Sequence, residues 1–204
     1  MLRDNKKPAE AGFTLIELAI VLIIIGILIG FILKGQELIR NSQIKRAYQT
    51  YLELTATLYS YYDRYGKLPG DDDNVAQRWG VDTLRNGDGD GRIETASPGA
   101  LDFACTDTTN TEECKVWEHL RLGEFIAGLG RENPTHTFGG PIGVGYITFQ
   151  GLTFHWIGFQ SVPSDIARDI DLKYDDGLYN SGWIRADSDY TTLTGSKTLY
   201  FKFK

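Results

Sequence analysis

Between Leu18 and Leu33 the chain has no charged residue, and between Phe13 and Leu68 it has no proline. The first absence excludes an ordinary solvated helix, because such a helix carries a polar face. The second removes the commonest cause of a kink over that stretch. Basic residues are also short: the formal net charge is -6, which argues against general binding to nucleic acid, since that needs a basic face. The sequence has no H-E-x-x-H, no G-x-S-x-G and no phosphate-binding glycine loop, and its histidines, His119, His136 and His155, stand apart. These gaps point away from an enzyme.

The apolar run itself, from Phe13 to Leu33, carries one charge, Glu17. At about 1.5 Å per residue it matches the hydrocarbon thickness of a bilayer. A secretory signal peptide would have a shorter apolar core and a small-residue cut site. Here the run passes instead into Lys34-Gly35-Gln36-Glu37-Leu38-Ile39. Ahead of it lies a short polar leader, residues 1–12, with Arg3, Lys6 and Lys7, whose charge favours a cytoplasmic N-terminus. An ionisable group at membrane depth is costly and is normally matched to a partner. A carboxylate near a helix N-terminus is favourable in any case. Gly26 and Gly30 stand at G-x-x-x-G spacing, which lets membrane helices approach closely, although glycine is common in membrane spans generally.

Gly12-Phe13-Thr14-Leu15-Ile16-Glu17, behind a basic leader and ahead of a long apolar run, resembles the type IV prepilin signature. The resemblance implies cleavage after Gly12 by a membrane prepilin peptidase, N-methylation of Phe13, and a role for Phe13 and Glu17 in assembly. Glu17 would be the fifth residue of the mature chain and would pair with the terminal amine of a neighbouring subunit. It also implies an α+β fold of the pilin type, with a long helix laid on an antiparallel sheet. Residues 13–39 would form the transmembrane helix and filament core, and 40–204 the rest of that helix and the head. The partners implied are further copies or other pilins, the inner-membrane assembly machinery and lipid. The protein would be a single-pass inner-membrane precursor, then part of a periplasmic or extracellular filament. Many pilins have a proline where this chain has Lys34, so a locally melted segment does not carry over. A type II secretion pseudopilin, a minor tip subunit with a binding head, and a tethered domain that never polymerises share the same N-terminal pattern.

A single helix over residues 13–65 is predicted, with Ile44, Tyr48, Tyr51, Thr55, Leu58, Tyr62 and Tyr65 as its core stripe. Lys67-Leu68-Pro69-Gly70 ends it. Residues 66–111 read as a long polar loop. Within it, Asn86-Gly87-Asp88-Gly89-Asp90-Gly91-Arg92-Ile93-Glu94 alternates oxygen side chains with glycine, like the calcium loop of EF-hands and dockerins. Asn86, Asp88, Asp90, the Arg92 carbonyl and Glu94 are the candidate Ca²⁺ ligands. The first position is Asn, and the twelfth is Ser97 rather than Glu, so a further ligand must come from elsewhere, such as Asp71–Asp73. The same residues also make an ordinary solvated turn. Cys105 and Cys114 either stay reduced or close a short disulfide, and an exported position favours the bridge.

A second helix is expected over 112–129, with Val116, Trp117, Leu120, Phe125 and Ile126 on its apolar side. Strands are expected at 146–149 and 152–159 around a Gln150-Gly151 turn, at 182–186, and at the C-terminus, where Leu199, Phe201 and Phe203 alternate with Tyr200, Lys202 and Lys204. The acidic turn at 171–177 reads as a surface loop or a second metal site. Trp79, Trp117, Trp156 and Trp183 read as core and loop anchors.

Overall fold

The computed structural model describes residues 12–203. The leader's Arg3, Lys6 and Lys7 lie outside them. The chain divides into two compact units, with the boundary after Ser42. The helix α1 (Leu15–Tyr65) is continuous through both, as the absence of proline predicts.

In the second unit, α1 is followed by α2 (Val75–Trp79), a 3₁₀ turn at Thr83–Arg85, α3 (Glu112–Leu122), β1 (Ile142–Phe149), β2 (Leu152–Pro163), α4 (Ser164–Tyr174), β3 (Ile184–Ala186) and β4 (Ser196–Lys202). The strands form one antiparallel sheet in the order β1-β2-β4-β3. This is the α+β class expected from a long helix followed by strands. The β1–β2 hairpin turns at Gln150-Gly151, both at positive φ (46° and 79°), the geometry of a two-residue turn that matches strand twist. Between Phe159 and Val162 the β2–β4 register shifts, and Ser161 adopts φ 62° there. One extra residue on β2 is a bulge, which bends the strand into α4.

Strand alternation sends Ile157, Phe159, Leu199, Phe201 and Phe203 to one face, where they pack with Ile44, Ala47, Leu54, Leu58 and Tyr61 of α1. Full burial of one such side chain contributes about 1.5–3 kcal/mol. Tyr51 stacks on Phe201 at 4.7 Å and donates to the Lys202 carbonyl. The opposite face carries Ile147, Trp156 and Tyr200 and is covered by Leu101 and Phe103 from the loop ahead of α3. Neither outer strand is bare. The β1 amides of Ile142, Tyr146 and Thr148 donate to the carbonyls of Pro134, Ile93 and Pro98, and the Ala186 amide of β3 donates to Tyr179.

Several expectations need correcting. The buried stripe of α1 is Ile44-Ala47-Leu54-Leu58-Tyr61, whereas Tyr62 faces outward. The tyrosines at 48, 51 and 65 lie half-buried along its margin. The helix α3 stops at Leu122, because Gly123 folds back on the carbonyls of His119 and Arg121. Phe125 and Ile126 still reach the core from the turn beyond. The helix α4 was not expected at all, and Trp183, at 63% exposure, lies at the surface beneath the Lys202 ammonium rather than in the core.

Candidate functional site

In the first unit, every large apolar side chain from Leu15 to Leu33 is between 45% and 88% exposed. The 18-residue window at the start of α1 has mean hydropathy 3.1 and none of it is buried. At about 1.5–3 kcal/mol per side chain, such a row is unstable in water and demands lipid or other helices. Its polar end is built by Thr14 and Glu17. The Glu17 carboxylate accepts from the Thr14 amide at 2.9 Å and from its hydroxyl at 2.8 Å, and the Thr14 hydroxyl in turn accepts from the Glu17 amide at 3.3 Å. This reciprocal pattern is a capping box, and it satisfies two helix-end donors in an apolar setting. Gly12 and Phe13 lie immediately before it, with Phe13 exposed. A Cβ added at Gly26 or Gly30 would meet nothing within 4 Å, so that face is open to a neighbour. At the far end, Lys34 and Glu37 pair at 2.6 Å.

In the second unit, the loop residues singled out by sequence are distributed as follows. The Asn86 side chain accepts from the Ala76 amide (2.8 Å) and donates to the Asp73 carbonyl (2.6 Å), so it clasps α2 to the loop. Asp90 accepts from the Arg92 amide, and the Arg92 guanidinium lies over the Tyr146 ring. The Glu94 amide donates to Glu112 at 3.1 Å, and the Asp88 amide to the other Glu112 oxygen at 2.8 Å. Asp88 comes together with Asp71 and Glu112, with one oxygen of each within 4.8 Å of the others; Asp90 and Glu94 are not in that group. Burial, then the charges of Asp88 and Asp71, push Glu112 up to about 7 despite its two backbone donors. Burial likewise raises Asp71. Glu112 was not foreseen. Its signal was faint, an acid at the first turn of a helix.

Cys105 and Cys114 are joined in a disulfide, with Cα atoms 5.4 Å apart. Closing so short a loop contributes about 2–3 kcal/mol in the chain-entropy model. The histidines serve as braces. His136 receives the Phe138 amide and contacts the Gln160 carbonyl, and His155 receives the Ile93 amide. His119 is fully buried. Its Nδ1 accepts from the Gly70 amide at 2.8 Å, so Nε2 carries the proton toward the Arg85 carbonyl at 2.7 Å. Burial holds its pKa down to about 4. An unfolded imidazole protonates near pH 6.5, whereas the folded one stays neutral to about 4, so stability should fall as pH drops through that window, by about 3 kcal/mol in all. Glu112, pushed up to about 7, and Asp171, pushed up to about 6, gain stability as they protonate in the same window and oppose this slope, so the His119 contribution is read as the difference between wild-type and His119→Gln thermal melts from pH 7 to 4.

A family model described as the prokaryotic N-terminal methylation motif matches residues 7–33. The chain matches no curated protein and no solved structure.

Proposed function

We propose that this chain, which bears the methylation motif typical of type IV pilin and pseudopilin precursors, is a structural subunit of a type IV pilus-like filament. The peptidase cuts after Gly12, Phe13 is methylated, and the apolar half of α1 holds the subunit in the inner membrane until it joins the filament. The observation that carries this reading is the uncovered row Leu15–Leu33 directly behind Gly12-Phe13, capped by Glu17. Such a row is stable in lipid and equally stable bundled with its like, so leaving the membrane for a helical core costs little hydrophobic energy. Among the described residues the histidines are committed to backbone groups, and the motif is one typical of structural precursors, which supports the same role.

The intact mass of the protein in sheared surface fibres tests this. The expected species begins at Phe13 and carries one extra methyl group. Protein that still begins at Met1 in assembled fibres overturns the processing, and absence of the protein from any fibre overturns the function.

A further inference from the structure

The geometry points to a calcium site formed by Asp71, Asp88 and Glu112, stapling the loop after α1 to the loop at 86–94 and to the first turn of α3. Three segments distant in sequence bring their carboxylates together, with an oxygen of each within 4.8 Å of the others. Gly87 makes this approach possible, because a Cβ there would run into the backbone of Gly70 and Asp71. The Gly89 amide then donates to the Asp71 carbonyl at 2.9 Å, which fixes Asp88 beside Asp71.

Charge on this cluster is only partly balanced by the protein, through the nearby Lys67 and Lys115. Among the described residues, no Lys or Arg forms an ion pair with Asp71, Asp88 or Glu112. The nearby cations are engaged elsewhere. Lys67 bonds the Gly89 carbonyl and pairs with Asp73, Lys115 bonds the Asn86 carbonyl, and Arg92 leans toward Asp90.

A second observation is independent of the acidity. Asp71 is 0% exposed, and while its Oδ2 accepts from the Gly91 amide at 3.1 Å, its Oδ1 has no hydrogen-bond partner. A buried carboxylate oxygen with no donor is rare and calls for a cation or an ordered water. Glu112 accepts from the Asp88 and Glu94 amides and Asp88 from the Asp90 amide, so the orphan is Asp71 Oδ1, and the other carboxylate cluster has no such buried orphan. Asp171 accepts from Gly177 and Tyr190, Asp175 from Trp183 and Ile184, and Asp176 from Leu178 and Ser181. That cluster is a hydrogen-bonded clasp and needs no ion.

The donors are all oxygen, which selects a hard cation. Ligands drawn from an irregular loop suit the flexible six-to-eight coordination of Ca²⁺ better than the strict octahedron of Mg²⁺. Asp88 is exposed, so water can reach the ion and complete its shell.

The test uses the full chain in detergent, stripped with EDTA and titrated with CaCl₂ or MgCl₂ by calorimetry and thermal melting. The expected result is one Ca²⁺ per chain, with a melting temperature raised by about 5–10 °C at a hundred-fold excess over Kd. Asp88→Asn, on the exposed rim, should melt like the wild type in EDTA and bind Ca²⁺ at least ten-fold more weakly. Asp71→Asn should lose the calcium shift yet melt higher in EDTA, because it removes one negative charge from the cluster and its NH₂ can donate to the neighbouring Asp88 or Glu112 carboxylate. Asp176→Asn should bind Ca²⁺ unchanged. Absence of heat and shift at millimolar Ca²⁺, tighter binding of Mg²⁺, unaltered affinity in Asp88→Asn, or an equal loss in Asp176→Asn would each overturn the assignment.

Discussion

Glu17→Ala is expected to leave the protein in the membrane fraction and to reduce the yield of sheared filaments by more than ten-fold. Membrane insertion rests on the apolar row, which the change does not touch. Assembly is different, because the proposed cleavage after Gly12 would turn the Phe13 nitrogen into a cation at the edge of a hydrocarbon medium. Breaking a buried ion pair by removing one partner costs about 3–5 kcal/mol, since the remaining charge stays uncompensated. Alanine also removes the acceptor that now holds the Thr14 amide and hydroxyl, so two effects are mixed. Glu17→Gln separates them. Its amide oxygen can still cap Thr14, but it carries no charge. Wild-type fibre yield from the glutamine variant, scored by electron microscopy and immunoblot, would show that capping alone matters and would refute the pairing.

The largest effect on stability is expected at Arg131. Its Nε donates to Glu118 at 2.6 Å, and both side chains are almost fully buried. A second guanidinium, that of half-exposed Arg85, meets the other Glu118 oxygen. Arg131 also donates to the Thr109 carbonyl at 2.6 Å, and its amide donates to Asp107, so one residue ties α3 to the disulfide loop. Arg131→Ala leaves Glu118 buried with one exposed partner. A loss of about 3 kcal/mol follows, the low end for a broken buried pair because Arg85 remains. Thermal melts of the solubilised chain should fall by about 6–12 °C. The double change Arg131→Ala with Glu118→Gln should recover part of the loss, since the stranded charge is then gone.

The parts of the fold that sequence displayed are those set by periodicity and punctuation. Charge-free Leu18–Leu33 and the proline-free stretch behind it gave α1, and alternating Leu199, Phe201 and Phe203 gave β4. The stripe on α1 was displaced by a residue in its last turns. Tyr61 and Tyr62 are indistinguishable by type, and the inward one is selected by tertiary contacts, the packing of the Tyr61 ring on Tyr65 and Phe125 and the reach of its hydroxyl to Asp72. The helix α4 was hidden because it begins directly at the end of β2, with Pro163 serving both, so no loop separated two patterns. At the acidic loop, sequence picked Asp88 by its glycine spacing. It could not pick Glu112, which reaches the cluster through a contact across the chain between residues far apart in number.

The rims of the sheet carry a consequence for crowding. A filament holds its subunits at a density far beyond that of free protein, which is the condition under which unpaired strand edges zip into cross-β aggregates. Here one rim is bonded by the segments around Ile93, Pro98 and Pro134, and the other is shortened to three residues and met by Tyr179. In the proposed filament, neighbouring heads would therefore present side chains to one another rather than vacant amides. Subunits assembled as proposed could be stacked closely, and parted again, without fusing.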